Sequence, residues 1–177
     1  VAKVKRELWV LRGKTLAVWG LAFKPDTDDV RFAPALNIVK RLLAEGASIR
    51  AYDPQAMEKA KDELPDVTYC LSHYEAAQQA DAILVLTEWD EFRHLDWATL
   101  AENVAHPLLI DGRNLYSESE AIAHGFQYIG IGKQPCSAQF PESRTNGNRP
   151  PSVADPGSGV SPLAPPTSHS IPVQPTP

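Results

Sequence analysis

The chain has 177 residues, 43% of them hydrophobic, enough for one domain with a real core. Its 17 Lys and Arg stand against 22 Asp and Glu, a net charge of -5, so no basic stripe offers a footprint for nucleic acid. No signal peptide is visible, no apolar run approaches the ~20 residues needed to span a bilayer, and the cysteines have neither zinc nor disulfide spacing; the expectation is a soluble, cytoplasmic protein in a reducing compartment, with no membrane partner.

The first predicted element is a helix over residues 4–12, with Val4, Leu8 and Leu11 on one face and Gly13 as its stop. The start at Val1, with Met57 the only methionine, makes this the end of a longer helix in a longer protein. A buried strand follows in Leu16 to Trp19, a nearly continuous apolar run, and breaks at Gly20. The loop beyond it carries Phe23, Lys24, Pro25 and a polar cluster, Asp26, Thr27, Asp28, Asp29 and Arg31. Such a loop at the carboxyl end of a first strand lies where open α/β sheets bind ligands, and its cations suit an anion. A solvated strand-to-helix loop is the other reading of the same residues.

Pro34 suits the first turn of a helix whose apolar face is Leu36, Val39, Leu42 and Leu43, ended by Gly46. Ile49 to Tyr52 form a second strand, stopped by Asp53-Pro54. A helix from about Ala56 to Leu64 and a short third strand from Val67 to Leu71 follow. Ser72 with Glu75 makes a capping box that starts a helix near His73. Ala82 to Leu86 has no polar alternation and reads as a central strand covered on both faces. Thr87, Glu88, Trp89 and Asp90 leave its carboxyl end; Trp89 could cover a crevice there, but a half-buried residue of the domain surface is the commoner case and is preferred. Asp96 caps a helix through Leu100 toward Val104. Leu108 to Ile110 form a fifth strand that ends in Asp111-Gly112-Arg113-Asn114. Ser117 with Glu120 opens the last helix, Gly125 closes it, and residues 126–131 supply a sixth strand.

Strict alternation of strands and helices predicts an α/β fold: a doubly wound, Rossmann-like six-stranded parallel sheet of order 3-2-1-4-5-6. The loops after strands one, four and five then open on one edge, bringing Lys24, Glu88 and Arg113 into one neighbourhood. From Gln134 the composition changes, since 11 of the 16 prolines fall in residues 134–177. That stretch reads as a disordered Pro/Ser-rich tail, and its Pro162 to Pro165 spacing is as well explained by composition as by a docking motif. The expected organisation is 1–13 helix end, 14–133 α/β domain, 134–177 tail.

An ordinary dinucleotide site is not expected. Gly20 is followed by Leu21, Ala22, Phe23, Lys24 and Pro25, without the glycines that let a backbone approach pyrophosphate. Asp53 stands where such folds often keep a ribose-binding acid, but Asp-Pro is also a plain strand-ending turn, and the turn is preferred. The five histidines show no metal-ligand spacing, and no metal is expected.

The run GLAFKPDTDDVR at 20–31, then APALNIVKRLLAEGA, YDP at 52–54 and DGRN at 111–114 resemble the carboxyl-terminal, UDP-binding domain of the UDP-glucose 6-dehydrogenases, in the UDP-glucose/GDP-mannose dehydrogenase family. The resemblance covers residues 1 to about 133. It implies part of an oxidoreductase that takes a sugar C6 alcohol to a carboxylate through a cysteine-bound stage with two NAD, in a homodimer built on a central helix. It implies Phe23, Lys24 and Arg113 as contacts of UDP-glucose or a related nucleotide sugar, and Arg31 as a contact reaching NAD across a domain interface. Lysine and arginine donors suit a diphosphate, arginine through its planar fork. The NAD glycine motif and the nucleophilic cysteine belong to parts absent here, so no catalytic residue is assigned; Cys70 reads as a small buried residue and Cys136 as a tail residue. Asp28 and Asp29 are expected to orient Lys24, Arg31 or backbone N–H groups, with Thr27 fixing the loop, and Arg113 has an ion pair with Asp111 as its competing role. A UDP-N-acetyl-sugar or GDP-mannose dehydrogenase, and a stand-alone nucleotide-binding or regulatory module, remain the alternatives.

Overall fold

The structure, a computed structural model, describes residues 1–132. The Pro-rich tail, Cys136 and the Pro162 to Pro165 spacing lie outside the described residues. In chain order the elements are α1 (Ala2–Leu8), β1 (Thr15–Trp19), α2 (Pro34–Ala44), β2 (Ser48–Tyr52), α3 (Met57–Glu63), β3 (Thr68–Tyr69), α4 (His73–Ala77), β4 (Ala82–Val85), α5 (Trp97–Asn103), β5 (Leu108–Asp111), α6 (Glu118–Ala123) and β6 (Gln127–Gly130). The strands form one sheet in the order β3-β2-β1-β4-β5-β6 with every pairing parallel. This is the doubly wound, Rossmann-like order that alternation predicts, with the order reversing between β1 and β4.

The core follows from the apolar runs. Leu16 to Trp19 of β1 and all of β4 are buried, because both strands are central and covered on both faces. Burial of such side chains stabilises by about 1.5–3 kcal/mol each relative to leaving them in water. Pro34 starts α2 with its missing N–H at a position that needs none, and Leu36, Val39 and Leu42 turn inward. Ser72, Asp96 and Ser117 each accept a backbone N–H from the third residue of the helix they open.

The first helix and the third strand end well before their predicted bounds. The first helix does not reach Arg12: Trp9 takes a left-handed backbone (φ 57) and stops it at Leu8. Leu11 is buried all the same, as the chain turns through Gly13 (φ 77) toward β1. The third strand keeps only Thr68 and Tyr69 because it is the sheet edge; Cys70 still donates to the Ala51 carbonyl (2.9 Å), but Leu71 is already 89% exposed.

At the reversal point the backbones of β1 and β4 leave no room for a side chain. A Cβ built on Gly20, which has φ +89, would stand 2.5 Å from Thr87 Cβ and 2.6 Å from its backbone nitrogen. Gly20→Ala is therefore expected to destabilise the domain by about 1–3 kcal/mol through overpacking and strain. Denaturant unfolding of the variant measures this, and a midpoint equal to wild type would show that the two loops separate easily.

Candidate functional site

The site is built at the carboxyl edge of the sheet, where the loops after β1, β4 and β5 emerge together. Its foundation is Asp53, at the end of β2, which is fully buried. One carboxylate oxygen accepts from the Gln55 (3.0 Å) and Ala56 (2.7 Å) N–H groups and turns the chain into α3. The other accepts from the N–H groups of Leu21 (2.6 Å) and Ala22 (3.0 Å) and from the Trp89 indole (3.0 Å). A single side chain thus ties the loops after β1, β2 and β4. The turn expected at Asp53-Pro54 is present, but it accounts for only two of the residue's five bonds. Trp89 is correspondingly not a half-buried surface residue: it is 5% exposed, because its N–H has a buried acceptor. Thr87, also fully buried, adds a bond from its hydroxyl to the Ala22 carbonyl (2.7 Å).

On this base the β1 loop closes on itself. Phe23 N–H donates to the Asp29 carbonyl (2.9 Å), and the Thr27 hydroxyl accepts from the Asp29 N–H (3.1 Å), the loop-fixing role expected of it. Asp29 grips Arg31 through both oxygens, at 2.9 Å to Nε and 2.8 Å to Nη2, and accepts from the Arg31 N–H. Hydrogen bonds from Arg31 hold the Asp29 carboxyl well below the usual carboxylate range, and the same pairing raises Arg31. Asp28 does not orient Lys24; it pairs with Lys59 of α3 at 2.7 Å, because α3 packs within reach of the loop. Phe23 is 49% exposed, and Lys24 is exposed with no hydrogen-bond or ion-pair partner among the described residues.

Across the edge, Asp111 organises the turn after β5. Buried, it accepts from the N–H groups of Arg113 (2.9 Å) and Tyr116 (3.0 Å) and from the Tyr128 hydroxyl (3.0 Å). Burial first, and the Asp111 carboxylate second, push the Tyr116 and Tyr128 phenols up, so both remain donors. Gly112 crosses so close to β4 that a Cβ would meet the Val85 carbonyl at 2.6 Å. Asn114 (φ 55) then bridges to both backbone groups of Ile131 (3.0 and 3.1 Å). The Arg113 side chain is not in an ion pair with Asp111. Its Nε–H donates to the Leu86 carbonyl (2.8 Å) and lies 3.0 Å from Glu88, leaving the forked end of the guanidinium without a described partner. Beside it opens a cavity of about 410 Å³, lined mainly by apolar side chains including Leu84, Leu86, Ile110 and Ile38.

Sequence reasoning placed Lys24, Glu88 and Arg113 in one neighbourhood. The structure brings Glu88 and Arg113 into contact, and joins Lys24 to them only indirectly, through the Thr87 to Ala22 bond and the shared Asp53 carboxylate that link their loops. The roles of Asp53 and Trp89 were missed. Their signal was the YDP run and a tryptophan directly after a strand, but nothing local pairs residues that stand 36 apart. Cys70 is buried, with its thiol pushed up chiefly by burial. Among the described residues, no group of His, Cys, Asp or Glu is placed to hold a metal ion, and no helix is long and apolar enough to cross a membrane. Nor do they form a dinucleotide cradle: Gly20 is packed against Thr87, and Asp53 is committed to protein N–H groups.

Residues 17–118 match the family model for the UDP binding domain of the UDP-glucose/GDP-mannose dehydrogenase family. The UDP-glucose 6-dehydrogenase of Rhizobium meliloti is 45% identical over 123 residues, which are 70% of this chain and 28% of that protein. Among solved structures, a UDP-glucose dehydrogenase from Pyrobaculum islandicum superposes with a TM-score of 0.62 at 33% identity, over 73% of this chain and 28% of that one. The NDP-N-acetyl-D-galactosaminuronic acid dehydrogenase of Methanosarcina mazei gives 0.65 at 30% identity, over 76% and 28%. The chain thus spans 28% of the length of each of these relatives. It belongs to the UDP-glucose/GDP-mannose dehydrogenase family and carries that family's UDP binding domain.

Proposed function

We propose that the crevice between the loops after β1, β4 and β5 binds UDP-glucose, and that the chain is the nucleotide-sugar domain of an NAD-dependent, homodimeric UDP-glucose 6-dehydrogenase of the cytoplasm. The observation that carries this reading is the state of the two cations. Among the described residues Lys24 has no hydrogen-bond or ion-pair partner, and the Nη end of Arg113 has none although its Nε lies 3.0 Å from Glu88; both stand on loops locked by hydrogen bonds. Cationic donors with unspent N–H groups, standing on loops held rigid at the switch point, are what a preorganised anion site needs. Phe23 adds an exposed aromatic face beside Lys24. The choice of UDP-glucose over an N-acetyl sugar rests on the relatives at 45% and 42% identity, each named UDP-glucose 6-dehydrogenase.

In this reading Arg31 reaches the cofactor from its exposed position, while NAD itself is held by a part of the protein beyond this chain, as is the nucleophilic cysteine. What these residues contribute is binding: Lys24 neutralises the diphosphate, Arg113 orients the ligand, and Asp53, Thr87 and Trp89 keep the loops from moving. The isolated chain is therefore expected to bind UDP-glucose, as read by calorimetric titration, and to form no NADH from UDP-glucose and NAD, because it supplies neither the cofactor cradle nor the nucleophile. NADH produced by the purified chain at a rate that scales with its concentration would place the active site inside these residues.

A further inference from the structure

His73 is a buried titratable group that the crevice described above leaves unused. It opens α4 with only 9% of its surface exposed. Four rings box its imidazole: Trp19, at the end of β1, stands edge to face at 5.1 Å, with Tyr52 at the end of β2 at 6.1 Å, Tyr74 at 4.3 Å and Phe92 at 5.4 Å. Nδ1 lies 3.4 Å from Glu91 Oε1, and the buried Nε2 has no hydrogen-bond partner among the described residues. Glu91 and Phe92 belong to a 3-10 turn, Asp90–Phe92, directly beyond Trp89. That turn is tied to both sides of the crevice. Trp89 donates to Asp53, and the Phe92 carbonyl accepts from the hydroxyl of Tyr116, whose N–H donates to Asp111, the acceptor of the Arg113 N–H.

We propose that His73 is a positioning residue for the crevice that works only while neutral: its ring holds the loop after β4 against α4, and protonation drives the ring out and loosens that loop. The ligand readout of this inference rests on the nucleotide-sugar reading above; the loop readout does not. An imidazolium has two N–H donors, and only the Nδ1 side of the box holds an acceptor. A buried charge with an unpaired N–H is costly, so the ring leaves for water rather than ionise in place. Burial holds the imidazole below its ordinary pKa, although the Glu91 carboxylate pulls the other way. The remaining groups around it do not compensate. The Tyr52 phenol is pushed up to about 12, by burial first and by Glu91 second, and stays neutral, while the Tyr74 hydroxyl accepts from the Asp96 N–H (2.7 Å). Glu75 of α4 is bonded to the Leu71 N–H, Asp90 pairs with Arg93, and Asp53 is spent on its own donors. A histidine whose folded pKa lies below its unfolded value of about 6.5 stabilises in full above that pH, and this stability is lost as pH falls toward and through the folded value. The loop, and a ligand bound on it, therefore weaken in acid.

Calorimetric titrations of the chain with UDP-glucose across the histidine window, from about pH 7.5 to about pH 5, give the first readout. Wild-type affinity is expected to fall below about pH 6.5, approaching about tenfold per pH unit once His73 is charged. His73→Phe keeps a ring in the box and cannot ionise; it is expected to cost about threefold in affinity at neutral pH and to show no further loss in acid. Glu91→Gln keeps an acceptor beside Nδ1 and removes the charge that favours imidazolium, so its fall is expected at lower pH than in wild type. The second readout needs no ligand: the NMR signal of the Trp89 indole N–H is expected to shift with the His73 titration in wild type and to stay in place in His73→Phe. A His73 pKa above its ordinary value would show that the rings and Glu91 hold a cation, and would overturn the inference. So would an acid loss that survives His73→Phe, or a Trp89 signal that ignores His73. A chain that binds no UDP-glucose while its Trp89 signal follows His73 would support the positioning role and overturn only the nucleotide-sugar reading.

Discussion

Asp53→Ala is expected to destabilise the domain by about 3–5 kcal/mol, more than any other single truncation at the sheet edge. The side chain accepts five hydrogen bonds, from the N–H groups of Leu21, Ala22, Gln55 and Ala56 and from the Trp89 indole. Hydrogen bonds to a charged acceptor contribute about 1.5–3 kcal/mol each, and four of the five donors left behind are buried. The losses do not sum in full, because the loops relax together once the hub is gone. Asparagine separates the hub from a plain turn. An Asp-Pro turn tolerates Asn, which is equally good at accepting from the N–H two residues on. At the hub, Asn turns an NH2 toward two backbone N–H groups and an indole N–H, donor against donor. Asp53→Asn is therefore expected to lose nearly as much as Asp53→Ala in denaturant unfolding followed by tryptophan fluorescence. An Asn variant within about 0.5 kcal/mol of wild type would reduce Asp53 to its turn.

The contrast between what local pattern predicted and what it missed has a common physical origin. β4 was legible because the five-residue apolar run Ala82 to Leu86 without alternation has few other places to go than the middle of a parallel sheet; its first four residues form the strand and all four are buried. The start of α2 at Pro34 and the caps at Ser72 and Ser117 were legible because the partner N–H lies within three residues. The capping boxes already show the limit. Glu75 returns its carboxylate to the Leu71 N–H (2.8 Å) rather than to Ser72, and Glu120 is taken by the Trp97 indole (3.3 Å). Asp53 with Trp89, Asp28 with Lys59, and Glu88 with Arg113 were not legible as pairs, since each depends on which strands become neighbours. The topology was inferred correctly, and it placed the right loops at one edge. It could not say which acid would pair with which partner, because that is decided by side-chain reach over a few ångströms.

That distinction sets the last expected result. Lys24→Ala is expected to weaken UDP and UDP-glucose alike, by about ten- to hundredfold, the equivalent of one charge-assisted hydrogen bond of about 1.5–3 kcal/mol. The equality follows from the position of the charge. Among the described residues Lys24 has no carboxylate paired to it, and it stands on a loop whose N–H groups are pinned to Asp53; in the proposed reading it meets the part of the ligand that UDP and UDP-glucose share. Lys24→Arg should restore most of the affinity, since charge rather than shape is what a diphosphate takes from an exposed lysine. Arg31→Ala is the internal contrast. Its guanidinium is already gripped by Asp29 and its side chain is 81% exposed, so removing it should leave both affinities within about twofold. The Lys24 interaction should also weaken as salt is raised, because an exposed charge is screened over about 8–10 Å at physiological ionic strength. Calorimetric titrations of the three variants at two salt concentrations decide the matter: UDP affinity unchanged in Lys24→Ala would remove the diphosphate from the β1 loop.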